Sequence, residues 1–101
     1  MLQAQIFIDR DDLFQGQPLY DFIMKLLLQN NVKGATAYRG VMGFGKNQQL
    51  KRPNEIFSFD DPPLMITFID ENNIVQDVLR KLRATYSGGL IITHPVDIFD
   101  A

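Results

Sequence analysis

Gly40-Val41-Met42-Gly43-Phe44-Gly45-Lys46, with Arg39 before it, is the stretch of this sequence best equipped to do chemistry. Glycines let backbone N–H groups approach an anion closely, and the flanking cations neutralise its charge. From Gly40 the spacing G-x-x-x-x-G-K of a phosphate-binding P-loop is met. Asn47 then stands where Ser or Thr would ligate magnesium. The polar run from Gln48 to Pro53 also fails to open the helix whose aligned N–H groups would face the phosphates. These departures argue against a nucleotidase loop. They leave a backbone nest for an anion, beside the plainer reading of a glycine hinge where a strand leaves a sheet.

Charge adds a second clue at the same place. Arg39, Lys46, Lys51 and Arg52 are the charged residues between Arg39 and Asn54, and none is acidic. A cationic loop of this kind suits a phosphate, a carboxylate or an acidic partner protein, set against the reading of a merely solvated loop.

Other constellations carry less. His94 is the single histidine, has no Asp or Glu at a ligand spacing and is followed by Pro95, so a structural or exposed role is expected. Asp9, Asp11 and Asp12 lack the downstream Gly and bidentate Glu of a calcium loop and read as a turn cluster. Arg39-Gly40-Val41-Met42-Gly43-Phe44 resembles an RNA-recognition octapeptide superficially, but its aromatics are not in the stacking alternation. No Ser-His-Asp order or acid-base carboxylate pair is visible, so no catalytic residue and no metal ligand is assigned.

The elements that must position these residues fit in one domain, residues 1–101. The chain has no cysteine, which removes disulfides and thiolate sites and fits a reducing, cytoplasmic setting. Ten basic against twelve acidic residues give a net charge of −2, which offers no overall field for nucleic acid or an anionic membrane. No apolar run approaches the roughly 20 residues of a membrane span, so no direct membrane insertion is expected.

Residues 3–8 alternate as a strand. Pro18 fits a first helical position, and Leu19, Phe22, Ile23, Leu26 and Leu27 form a helical stripe that stops at Asn30-Asn31. A second strand is expected over 35–42. After a polar loop, Ile56, Phe57 and Phe59 begin a third strand, which is interrupted by Pro62-Pro63 and completed by 64–69. Asp70 to Asn73 supply caps for a helix carrying Ile74, Val75, Val78, Leu79 and Leu82. Residues 90–93 form a fourth strand that is expected to continue past Pro95 toward Phe99.

The order β-α-β-β-α-β predicts an α+β, ferredoxin-like fold, with two helices on one face of a four-stranded antiparallel sheet. The other face is then uncovered, and Val41, Phe57, Phe59 and Met65 supply more apolar surface than one covered face absorbs. Sheet-on-sheet packing in a symmetric oligomer is the expected solution.

Gly16-Gln17-Pro18-Leu19-Tyr20, the segment from Gly34-Ala35-Thr36 to Gly43-Phe44-Gly45, and Asp61-Pro62-Pro63 through Asp70 resemble the uncharacterised branch of the nitrogen-regulatory PII-like proteins, over nearly the whole chain. The resemblance implies a ferredoxin-like homotrimer with small-molecule sites between subunits. It implies that Arg39, Gly43, Phe44, Gly45, Lys46, Gly88 and Gly89 bind an adenine nucleotide or other anionic effector, and no resident cofactor. It also implies that the loop 46–54, with Lys46, Lys51 and Arg52, touches a target such as a membrane-transport protein or an enzyme.

Leu90 occupies the place of a phosphate-binding lysine in PII proteins, and the sequence stops before their arginine-bearing C-terminal loop. The loop also lacks a tyrosine for uridylylation. The expected activity is therefore non-enzymatic regulation. A CutA-like divalent-metal-tolerance protein and a small enzyme working in an oligomeric cleft are the alternatives.

Overall fold

The computed structural model describes residues 1–44 and 63–100. Among these residues six strands and two helices follow in the order β1 (Leu2–Asp9), β2 (Leu13–Phe14), β3 (Gln17–Pro18), α1 (Leu19–Gln29), β4 (Thr36–Arg39), β5 (Pro63–Asp70), α2 (Asn72–Thr85) and β6 (Leu90–Pro95). Four strands form an antiparallel sheet in the order β4-β5-β1-β6. This is the expected α+β, ferredoxin-like arrangement.

Alternation decides which side chains the helices cover. Leu2, Ala4, Ile6 and Ile8 of β1 and Leu64, Ile66 and Phe68 of β5 point into the core. There they meet Leu19, Ile23 and Leu27 of α1 and Val75, Val78 and Leu82 of α2. The helical spacing of those six residues builds one apolar stripe per helix, and each fully buried side chain of this size is worth roughly 1.5–3 kcal/mol.

Residues of the opposite parity lie on the uncovered face. By register, Tyr38, Met65, Phe7 and Leu90 form one row across all four strands, and Ile92 and Ile69 lie beyond it. Phe7, Tyr38, Ile69, Leu90 and Ile92 are all exposed. Between them runs a polar strip in which Gln3 Nε2 donates to Thr67 Oγ1 at 3.0 Å and Gln5 Nε2 meets Met65 Sδ at 3.4 Å.

Several expectations are corrected. The second strand is β4, Thr36–Arg39, rather than 35–42, although Gly40 N–H still donates to Pro63 O at 2.6 Å. The last strand runs through Pro95, and Val96 N–H donates to Met1 O, after which Asp97 to Asp100 form no strand. Pro18 ends β3 and caps α1 instead of occupying its first turn. The β2–β3 hairpin was not expected from the sequence. Its Gln15-Gly16 turn has φ of 52° and 79°, the pair of positive values that a type I′ hairpin turn requires. Ile56, Phe57 and Phe59 lie outside the described residues.

Candidate functional site

The described residues among those expected to bind an effector, Arg39, Gly43, Phe44, Gly88 and Gly89, lie toward the end of the sheet where β1 and β4 finish and β5 and β6 begin. Arg39, on edge strand β4, lies opposite Leu64, and Leu64 lies opposite Ile8. A Cβ placed on Gly89 would come 3.1 Å from Ile8 Cγ2, so Gly89 closes the same row at the other edge, just before β6. Arg39 and Gly89 are thus three strand spacings apart, about 14 Å at 4.7–4.9 Å per spacing. Within one chain the two expected binding segments share an end of the sheet but do not meet.

At the β4 edge, Gly40 and Gly43 press against the Pro63 ring, where an added Cβ would stand 2.9 Å from Pro63 Cγ in both cases. That close approach is the structural reason for both glycines. Val41 (78% exposed) and Phe44 (70%) project beyond them. Gly45, Lys46, Lys51 and Arg52 lie outside the described residues.

At the β6 edge, the loop Ser87-Gly88-Gly89 is held from three sides. Gly89 has φ of +68°, and a Cβ there would come 2.9 Å from Phe7 O. The Tyr86 ring lies so close to Gly88 that no side chain fits between them. Arg83 Nη1 donates to Gly88 O at 2.5 Å and to Tyr86 O at 3.3 Å, tying the loop to the last turn of α2. Burial, then Asp12 and Asp9, push the Tyr86 phenol up from its ordinary pKa, with Arg83 opposing them.

The three carboxylates of that loop come within 4.8 Å of one another. Asp12 Oδ2 accepts the Asp9 N–H, and Asp12 N–H donates back to Asp9 O, which is the expected turn. With one converging oxygen from each residue, the cluster supplies three of the six to eight oxygens that calcium takes. His94 is exposed on β6 opposite Gln3, in the uncovered face.

Two residues have structural roles that sequence spacing did not show. Asp70 is fully buried: its Oδ2 accepts the Lys33 N–H at 3.0 Å and its Oδ1 the Glu71 N–H at 2.8 Å. It pins the α1–β4 connection to the start of α2 rather than capping that helix, whose N-cap is Glu71. Arg83 is the other, and its donation to Gly88 has no signature in sequence spacing.

The family model DUF190, described as "Uncharacterized ACR, COG1993", matches residues 1–98. A UPF0166 protein of Methanocaldococcus jannaschii is 32% identical over 97 residues, covering 94% of this chain and 88% of the relative. The PII-like protein CPII from Thiomonas intermedia K12, solved with ADP, AMP and bicarbonate, superposes with a TM-score of 0.70 at 16% identity, covering 99% of this chain and 93% of CPII. CutA1 from Pyrococcus horikoshii superposes with a TM-score of 0.65 at 14% identity, covering 99% and 87%. At these identities the two structures establish a shared fold. No helix among the described residues is long and apolar enough to cross a membrane.

Proposed function

The chain belongs to the DUF190 family and carries a PII-like fold, and on that footing we propose that it is a regulatory subunit of a homotrimer that binds a small anionic or nucleotide-like effector between subunits. The observation that carries this reading is the separation of Arg39 from Gly89 along one row of the sheet. A small ligand that touches the Gly40–Phe44 edge and the Gly88–Gly89 edge together has to sit between two copies. The uncovered face, with its row Tyr38-Met65-Phe7-Leu90, supplies the apolar surface that holds such copies together.

Effector binding at Gly43 to Lys46 reorganises the basic segment 46–54 and so changes what that segment binds, a population shift driven by the ligand's preference for one arrangement. The targets are other proteins, such as a transporter or an enzyme, and the role is regulatory rather than catalytic.

Native mass spectrometry with adenine nucleotides, pyrophosphate and bicarbonate tests the reading. A trimer that gains ligand mass supports it, with weaker gain for Lys46→Ala in an intact trimer. A monomer, or a trimer that takes up none of these ligands, contradicts it.

A CutA-like divalent-metal-tolerance role is the second reading, favoured by the CutA1 superposition. Without cysteine and with one histidine the chain offers few ligands for soft metals. Calorimetry that finds a tight, stoichiometric copper or zinc site would put this reading first.

A further inference from the structure

The loop Ser87-Gly88-Gly89-Leu90 carries no charged side chain of its own, and Leu90 is 59% exposed. A cation that serves an anion at this loop has to come from a neighbouring element. Arg83 is exposed at the end of α2, and its guanidinium lies at the rim of the loop. We propose that Arg83 supplies the positive charge and the planar fork that receive an oxyanion, a phosphate or a carboxylate, at Gly88–Gly89. This rests on the anionic effector proposed above and adds the residue that recognises its charge.

The hydrogen bonds decide which part of Arg83 is available. A guanidinium has five N–H donors: two on Nη1, two on Nη2 and one on Nε. Nη1 is occupied twice, by Tyr86 O and Gly88 O. The Nε–Nη2 edge meets no acceptor among the described residues, and two parallel N–H groups on such an edge match the oxygens of a phosphate or carboxylate. Anchoring one amino group fixes the plane of the other edge, so less side-chain freedom remains to be lost on binding.

Burial, Asp12 and Asp9 raise the Tyr86 phenol's pKa and Arg83 lowers it. Arg83 therefore attracts an anion near this ring, whereas the Asp9 and Asp12 carboxylates repel one.

A second role for Arg83, as a simple tie for the helix end, predicts different behaviour under mutation. The test is calorimetric titration of the whole protein with adenosine, ADP and pyrophosphate, for wild type, Arg83→Gln and Arg83→Lys. The fork and charge predict that Arg83→Gln weakens ADP and pyrophosphate binding about tenfold while adenosine is unchanged, because a hydrogen bond to a charged partner is lost. Arg83→Lys, which keeps the charge but not the fork, falls between the two. An unchanged preference for ADP over adenosine in Arg83→Gln overturns the proposal, and so does an equal loss for adenosine and ADP, which marks a structural tie. Wild type that binds none of the three ligands overturns the effector reading itself. Loss of ADP binding that pyrophosphate does not share assigns the fork to another part of the nucleotide and also overturns the proposal.

Discussion

Arg39 and Gly89 stand at the two ends of one row across the sheet, with Leu64 and Ile8 between them. In the proposed function each edge would supply half of a binding surface at the same height. A copy that brings its Gly89 edge to the Arg39 edge of its neighbour completes one surface at every contact. A chain of 101 residues has little interior left for a pocket of its own, and this arrangement does not need one.

Glycine is required at Gly89 and free at Gly34. Gly89 combines φ of +68° with a 2.9 Å approach to Phe7 O, whereas a Cβ on Gly34 meets nothing within 4 Å. Gly89→Ala is expected to destabilise the subunit by about 1–3 kcal/mol. Gly34→Ala is expected to be neutral or to stabilise by up to about 1 kcal/mol, because it restricts the unfolded chain. Chemical denaturation of the two variants beside wild type checks the difference.

Asp70 links acid sensitivity to the helix layer. Burial alone would raise its pKa, but the N–H groups of Glu71 and Lys33, with the Lys33 ammonium, hold it below the usual carboxylate value. A carboxyl depressed in the folded state contributes stability above its unfolded pKa, near 4, and loses that contribution as pH falls through the folded value. Asp70→Asn places an amide N–H against a backbone N–H, and is expected to cost about 2–3 kcal/mol at pH 7. The deficit of the variant should shrink as pH falls from about 4, where Asp70 of the unfolded chain begins to take up a proton, toward the lower folded value. Lys33→Ala should cost well under 1 kcal/mol, since the Lys33 side chain is 73% exposed and its ammonium stands 3.8 Å away. Urea titrations between pH 3 and 7 resolve these outcomes.

The uncovered face separates folding from assembly. Ile92 and Phe7 are exposed on it and contribute little to the helix-covered core. Ile92→Asp and Phe7→Asp are expected to leave far-UV circular dichroism unchanged while shifting the proposed trimer to monomer, because a charge buried between sheets is left unpaired. Sedimentation velocity reads the shift, and a trimer that survives both substitutions places the contact elsewhere.

Periodicity made most of this fold legible. The i, i+3, i+4 stripes of Leu19–Leu27 and Ile74–Leu82 and the alternation of residues 3–8 lead directly to two helices over one sheet face. Alternation also carried a signal for Asp70: Leu64, Ile66 and Phe68 point inward, and the next residue of that parity is Asp70. A buried carboxylate at that point was legible in principle, but a charged residue beside Glu71-Asn72-Asn73 reads more readily as a helix cap. The β2–β3 hairpin escaped because Gln15-Gly16 is a weaker turn signal than Asn-Gly. The site was legible only in pieces. Gly43 and Gly88-Gly89 stand out as glycines, but their placement on opposite edges follows from strand order, and the Arg83 contact with Gly88 follows from a side-chain rotamer.

Subunit mixing tests the central claim, a binding surface shared between copies, most directly. Arg39→Glu damages one edge and Gly89→Ala the other, so each variant alone should bind ADP, or the tightest ligand found in the mass-spectrometric panel, far more weakly than wild type. Coexpression of the two variants forms mixed trimers, in which about one quarter of the contacts join two undamaged edges by random assembly. The shared surface predicts that binding returns at about that fraction of the wild-type stoichiometry. Mixed trimers that bind no better than either variant alone would place the whole site within one chain and contradict the account.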